Sequence, residues 1–204
     1  MKTTRITAAA VSLALLGALA ACADPAPDPT QAATTTTPAV AHDAPAPTHS
    51  DADTAFAQLM TVHHEGAIEM ASLAETNAGS QEVRDVATTI ADAQTPEIET
   101  MTWWLDSWGE DSATRASQNG MDHTGMQMDG LAHEEAMFEL GGLTGPEFDK
   151  RFLELMVAHH EGAIVMAQEE IDGGVNEEAV ALAESIIADQ TAEIALMQGM
   201  LPPA

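Results

Sequence analysis

Met60-Thr61-Val62-His63-His64-Glu65-Gly66-Ala67-Ile68-Glu69-Met70-Ala71 returns 96 residues later as Met156-Val157-Ala158-His159-His160-Glu161-Gly162-Ala163-Ile164-Val165-Met166-Ala167. At about 100° per residue, Phe56, Leu59, Met60, His63, Ala67 and Met70 share one helical face, and His64 and Ile68 border it. The same offset aligns Phe56 with Phe152 and Ile90 with Ile186. It also aligns Gln94, Glu97, Ile98 and Met101 with Gln190, Glu193, Ile194 and Met197, without a gap. Register held across two helical stripes and their connection predicts two hairpins of equal geometry, each covering the apolar face of the other.

The second stripe runs through Val83, Val86, Ala87, Ile90, Gln94, Glu97, Ile98 and Met101. No segment alternates as a surface strand does. Asn77-Ala78-Gly79 and Gly173-Gly174 mark the turns inside the hairpins, and Gly145-Pro146-Glu147 opens the third long helix with proline in its first turn. The fold expected is all-α: a four-helix bundle of two duplicated hairpins, repeats at about 56–101 and 152–197, with a long crossover at 109–144 and a short helix near 131–140.

The folded part is expected at residues 53–204, enough for one domain with a core of its own. Ahead of it, Lys2 and Arg5 precede an uncharged run that ends in Leu19-Ala20-Ala21-Cys22, the pattern of a secretory leader at 1–21. Its last residues resemble the lipobox of bacterial lipoproteins. That resemblance implies cleavage before Cys22, lipid on its thiol and an anchor in the cell membrane; the other reading is a plain secretion signal and a free thiol. Cys22 is the only cysteine, so the chain has no disulfide. Residues 22–52 are Pro, Ala, Thr and Asp with little to bury, a tether rather than a domain. His42 and His49 lie in this tether, either as solvated side chains or as a metal-capturing arm.

The net formal charge is -27. Such a field disfavours nucleic acid and anionic lipid headgroups as partners and concentrates cations, although acidic surfaces are also common in exported proteins. Only 8 histidines are present, so finding four of them in the two repeated motifs directs attention there. Gln94 and Glu97 interrupt an apolar stripe, and a buried carboxylate needs a partner. Two readings meet that need. In one, Gln94 and Glu97, and likewise Gln190 and Glu193, hydrogen-bond the histidines of the facing helix and fix the register. In the other, imidazole, thioether and carboxylate converge on a metal ion near the axis that relates the hairpins.

Gly66 and Gly162, costly inside helices, are expected to admit a close neighbour. Glu65 and Glu161 lie off the apolar arc. Trp103, Trp104 and Trp108 are expected to form a capping cluster. The crossover carries Met121, His123, Met126 and Met128 in a polar context with no hydrophobic periodicity. They read either as a soft-metal loop suited to Cu(I) or as linker residues packed on the bundle.

The paired His-His-x-Gly-Ala-Ile-x-Met-Ala motifs, the Gln-x-x-Glu-Ile-x-x-Met segments and Gly145-Pro146-Glu147-Phe148-Asp149-Lys150-Arg151-Phe152 together resemble the bacterial domain-of-unknown-function family 305, over about 53–201. The resemblance implies a ferritin-like four-helix bundle exported from the cytoplasm, with copper binding and copper tolerance in some similar proteins. Carried onto this chain, it implies ligands at His63, His64, Met60, Met70, His159, His160, Met156 and Met166. A second group follows at Met101, Met197, Met121, His123, Met126 and Met128, with Glu97 and Glu193 added by the metal reading above. Three functions stay open: a lipid-anchored copper binder that sequesters the ion or hands it to a copper-handling partner, alone or as a homo-oligomer; a ferritin-like dinuclear iron or manganese oxidase; and a metal-free interaction module. Soft ligands and the lack of a catalytic constellation favour the first. His63 and His159 have no Glu three residues before them, which departs from the di-iron pattern.

Overall fold

Apolar stripes of this kind have to be covered, and the computed structural model, which describes residues 48–113 and 132–202, shows what covers them. The helices are α1 (Asp51–Asn77), α2 (Gln81–Trp108), α3 (His133–Gly141), α4 (Pro146–Gly173) and α5 (Glu177–Met200). α1 packs on α2 and α4 on α5, the two hairpins meet along α1 and α4, and α3 lies against both of those. Among the described residues there is no strand, only an isolated bridge between Ala78 and Gly145. None of these helices is long and apolar enough to cross a membrane. Residues 1–47 with Cys22 and His42, and the group Met121, His123, Met126 and Met128, lie outside the described residues.

The helix ends follow local chemistry. Ser50 caps α1 in a capping box with Asp53, Ser80 caps α2 through Val83 N, and Asn176 caps α5 through Glu178 N and Ala179 N. Pro146 occupies the first turn of α4, where its missing N–H costs nothing. Gly79 passes so close to Gly145 that a side-chain carbon on Gly79 would stand 2.7 Å from the Gly145 carbonyl carbon. Glycine is therefore required there by space.

One carboxylate ties each hairpin to the turn of the other. Asp149 on α4 accepts hydrogen bonds from Gly79 N at 2.8 Å and Ser80 N at 2.9 Å. Asp53 on α1, 96 residues earlier, accepts from Val175 N at 3.1 Å and Asn176 N at 2.9 Å. The core divides into two clusters. One holds Met60, Met101 and Met166 with Phe56, Trp104 and Ile186; the other holds Met70, Met156 and Met197 with Phe148, Phe152 and Ile90. Met60 shares a cluster with Met166, and Met70 with Met156, so α1 and α4 run in opposite senses.

Two sequence expectations are corrected here. Trp104 and Trp108 stack at 5.9 Å, but Trp103 points outward and is 52 % exposed. His49 is not a solvated tether residue: its ring stacks on Trp108 at 4.6 Å, with Nε2 3.2 Å from Glu110. An aromatic face at the end of α2 gives that ring a better place than water.

The match between the hairpins lapses at Glu170, whose counterpart is Ala74. Both are buried. Among the described residues no donor reaches either carboxyl oxygen of Glu170, which faces Asp53. Burial, then the shared hydrogen bond with Asp53 and its charge, push Glu170 up to about 8 from 4.5. Burial opposes the charge on Asp53, but hydrogen bonds from Ser50, Asn176 and Glu170 prevail and hold it at about 2. Glu170 is thus protonated at neutral pH and donates to an ionised Asp53.

A raised folded-state value favours the protonated form, so the Glu170 contribution is complete below pH 4.5 and declines as pH rises to about 8. Asp53 acts in the opposite sense, contributing above 3.8 and losing that contribution as pH falls to about 2. Glu170→Gln should therefore flatten the fall in thermal midpoint across the 4.5-to-8 window relative to the parent. Parallel midpoint curves would remove the shared proton.

Candidate metal centre

Between the two methionine-bearing clusters lies a layer of four histidines. The helical repeat of α1 turns His63 inward with Met60 and Met70, and that of α4 does the same for His159 with Met156 and Met166. The His63 and His159 rings meet with centroids 3.6 Å apart, tilted by 41°. His64 and His160 are fully buried as well, deeper than the edge position expected of His64. His160 lies 6.5 Å from His159, ring to ring.

Each outer histidine is clasped by its own hairpin. His64 Nε2 stands 2.7 Å from Glu97 Oε2, and His160 Nε2 stands 2.6 Å from Glu193 Oε2. The imidazoles have no exposure while each carboxylate keeps 19 %, so the charged end stays near water and the ring stays dry. With Nε2–H donating to the carboxylate, Nδ1 carries the free lone pair.

Among the described residues, none of the four Nδ1 atoms, on His63, His64, His159 and His160, has a hydrogen-bond partner. A buried polar atom left unpaired costs about 1–3 kcal/mol, so four gathered in one layer call for a physical reason. Burial first, then the nearby imidazoles of His64, His160 and His133, hold His63 well below its usual 6.5. Burial, followed by His63, His160, His64 and His133, does the same to His159. Both are neutral, the state in which imidazole can coordinate a metal.

Gln94 and Gln190 do not form the bonds to histidine that the register-fixing reading requires. Among the described residues, both amide atoms of Gln94 and the oxygen of Gln190 are buried without partners, leaving Glu97 and Glu193 as the contacts of that kind. Glu65 and Glu161 face solvent. Met101 and Met197 are buried in separate clusters, one with Met60 and Met166 and the other with Met70 and Met156. Among the described residues no three His, Asp or Glu side chains already converge around one point in the manner of a preformed ion site. The candidate donors are histidine nitrogens between two apolar clusters that each hold three buried methionines, and thioether with imidazole is a soft set.

Sequence reasoning missed His133. It opens α3, donates from Nε2 to Glu69 Oε2 at 2.8 Å, and turns its other edge toward Gly66. A lone histidine at the start of a short helix carries no periodic signal. The available sign was Gly66, a glycine on the buried face of α1, which admits His133 as its close neighbour.

These features define an all-α bundle of two helical hairpins with a dry histidine layer at its centre. The chain belongs to the family described as domain of unknown function (DUF305), whose model matches residues 53–201. Among solved structures it is similar to a DUF305 protein from Streptomyces coelicolor, thought to be secreted, at 32% identity over 73% of this chain and 91% of that one, with TM-score 0.63. A DUF305 fragment from Deinococcus radiodurans matches at 28% identity over 76% of this chain and 97% of that one, TM-score 0.62. CopM matches in its Cu(I)-bound form at 28% identity, TM-score 0.58, and in its Cu(II)-bound form at 30% identity, TM-score 0.61. Each CopM comparison covers 72% of this chain and 94% of that one. No curated protein is matched.

Removing the clasp while keeping its bulk should expose its contribution. Glu97→Leu or Glu193→Leu leaves a buried N–H without an acceptor, and chemical unfolding should register a loss of about 1–3 kcal/mol for either. A loss confined to one of them would mean that the two clasps are energetically unequal.

Proposed function

We propose that this protein is an extracytoplasmic copper-binding protein that holds Cu(I) in the histidine layer for sequestration, tolerance or delivery. The observation that carries the reading is the set of four buried Nδ1 atoms without partners on His63, His64, His159 and His160. A metal-free module gains nothing from leaving them unpaired. A bound cation would take up the Nδ1 lone pairs of His64 and His160, whose Nε2–H groups are committed to carboxylates, and one ring nitrogen each of His63 and His159; the apolar surroundings suit a monovalent ion better than a divalent one.

His63, His64, His159 and His160 are the nitrogen donors in this reading, and Met60, Met70, Met156 and Met166 offer sulfur from the adjoining layers. Met101 and Met197 add thioethers to those layers, and Met121, His123, Met126 and Met128 would collect the ion before it reaches the histidines. Glu97 and Glu193 orient His64 and His160 and offset the charge of the cation. Copper here is cargo, bound through neutral ligands with no turnover required. The similarity to CopM, which has copper-bound structures, supports the choice of metal. A dinuclear iron or manganese centre needs several carboxylates pointing inward. Here Glu65 and Glu161 point out, and Glu97 and Glu193 are each engaged with a histidine.

The leader-like residues 1–21 and Cys22 support a position on the outer side of the cell membrane, held by lipid on that thiol. The acidic surface would gather cations around it. The similar Streptomyces protein thought to be secreted supports export.

Purified without a histidine tag, the protein should retain Cu(I) against a competing chelator. The double variant His63→Ala/His159→Ala should lose it while keeping its helical circular dichroism. Unchanged copper stoichiometry in that variant would refute the assignment. Cys22→Ser should move the protein from the detergent phase to the aqueous phase on cell fractionation; unaltered partitioning would rule out the lipid.

A further inference from the structure

α3 is held firmly against the bundle. Ala136 and Leu140 are buried in the cluster that contains Met70 and Met156, and Arg151 on α4 forks onto Glu139 at 3.0 and 3.1 Å. Its first residue, His133, is consequently fixed over α1, where Glu69 takes its Nε2–H at 2.8 Å. That bond leaves the Nδ1–Cε1 edge of the ring facing inward.

This edge looks through a gap in α1. The point where a side-chain carbon on Gly66 would stand is 3.2 Å from His133 Cε1, 3.3 Å from His133 Nδ1 and 3.5 Å from His159 Nε2. His133 keeps 32 % of its side chain in solvent, whereas His159 is 4 % exposed. A wet imidazole and a dry one thus face each other across the one place where the intervening helix has no side chain.

We propose that His133 is the surface-side ligand that passes a soft monovalent metal ion to His159, with the bare face of Gly66 as the passage. This rests on the reading of the histidine layer as a Cu(I) site. The step is a ligand exchange: one nitrogen–metal bond forms as another breaks, and the ion keeps its charge throughout. Glu69 acts as a positioning residue, holding the ring so that Nδ1 rather than Nε2 is presented to the incoming ion. A layer sealed this tightly otherwise exchanges ions only when helices part. The crossover helix therefore does more than connect the hairpins.

The test is silver(I) loading of the full-length mature chain followed by stopped flow, with final occupancy measured by elemental analysis. His133→Ala should reach the occupancy of the parent but at least about tenfold more slowly, the scale on which supporting groups act at metal sites. Gly66→Ala, whose added carbon would press on His133, should slow loading in the same direction. Parent-like rates in both variants would overturn the proposal. So would a lower final occupancy in His133→Ala, which would make His133 a resident ligand. The variant His63→Ala/His159→Ala separates the two readings: if it takes up as much silver as the parent, the histidine layer is not the site and the transfer role falls with it.

Discussion

A carboxylate at the rim reaching an imidazole in the dry interior is the interaction on which the centre of this bundle depends. Burying a neutral imidazole is tolerable, but burying it with a defined proton position requires a fixed acceptor. Glu97 and Glu193 supply that acceptor from the second helix of each hairpin, and so decide which nitrogen of His64 and of His160 keeps its lone pair. The inner pair, His63 and His159, is held by ring contact instead. Four similar side chains are thereby set in two different ways. The packing above and below, three methionines in each cluster, adjusts to them because the thioether side chain is unbranched and adaptable.

The frame was largely legible in the sequence, since it rests on periodicity and repetition. The stripes through Met60, His63 and Met70 and through Met156, His159 and Met166 place those residues inside, and the turn residues mark where the helices end. What was not legible came from contacts between segments distant in sequence. His49 looks like a tether residue until Trp108 is brought to it. His133 has no pattern at all, and only the bare face of Gly66 hinted that something comes close. Gln94 looked like a partner for histidine because amides in apolar stripes usually find one, yet its amide is unpaired.

The two hairpins agree best at the middle and differ at the ends. Asp53 and Asp149 serve the same purpose at opposite poles, each receiving backbone N–H groups from the other hairpin's turn. At one pole a second carboxyl, Glu170, crowds in beside Asp53; at the other, Ala74 leaves the matching space apolar. Neutral apolar packing suits one end, and a proton held between two acids suits the other. Among the described residues the matched centre shares no side-chain hydrogen bond with either pole.

Pro96 stands inside α2, one residue before Glu97, while the matching position in α5 is Ala192. Proline has no N–H to offer the carbonyl one turn back, so α2 lacks a backbone rung beside its clasp, and α5 keeps the corresponding one. Of the two matched arms, the clasp through Glu97 therefore stands on a helix with one backbone hydrogen bond fewer beside it than the clasp through Glu193.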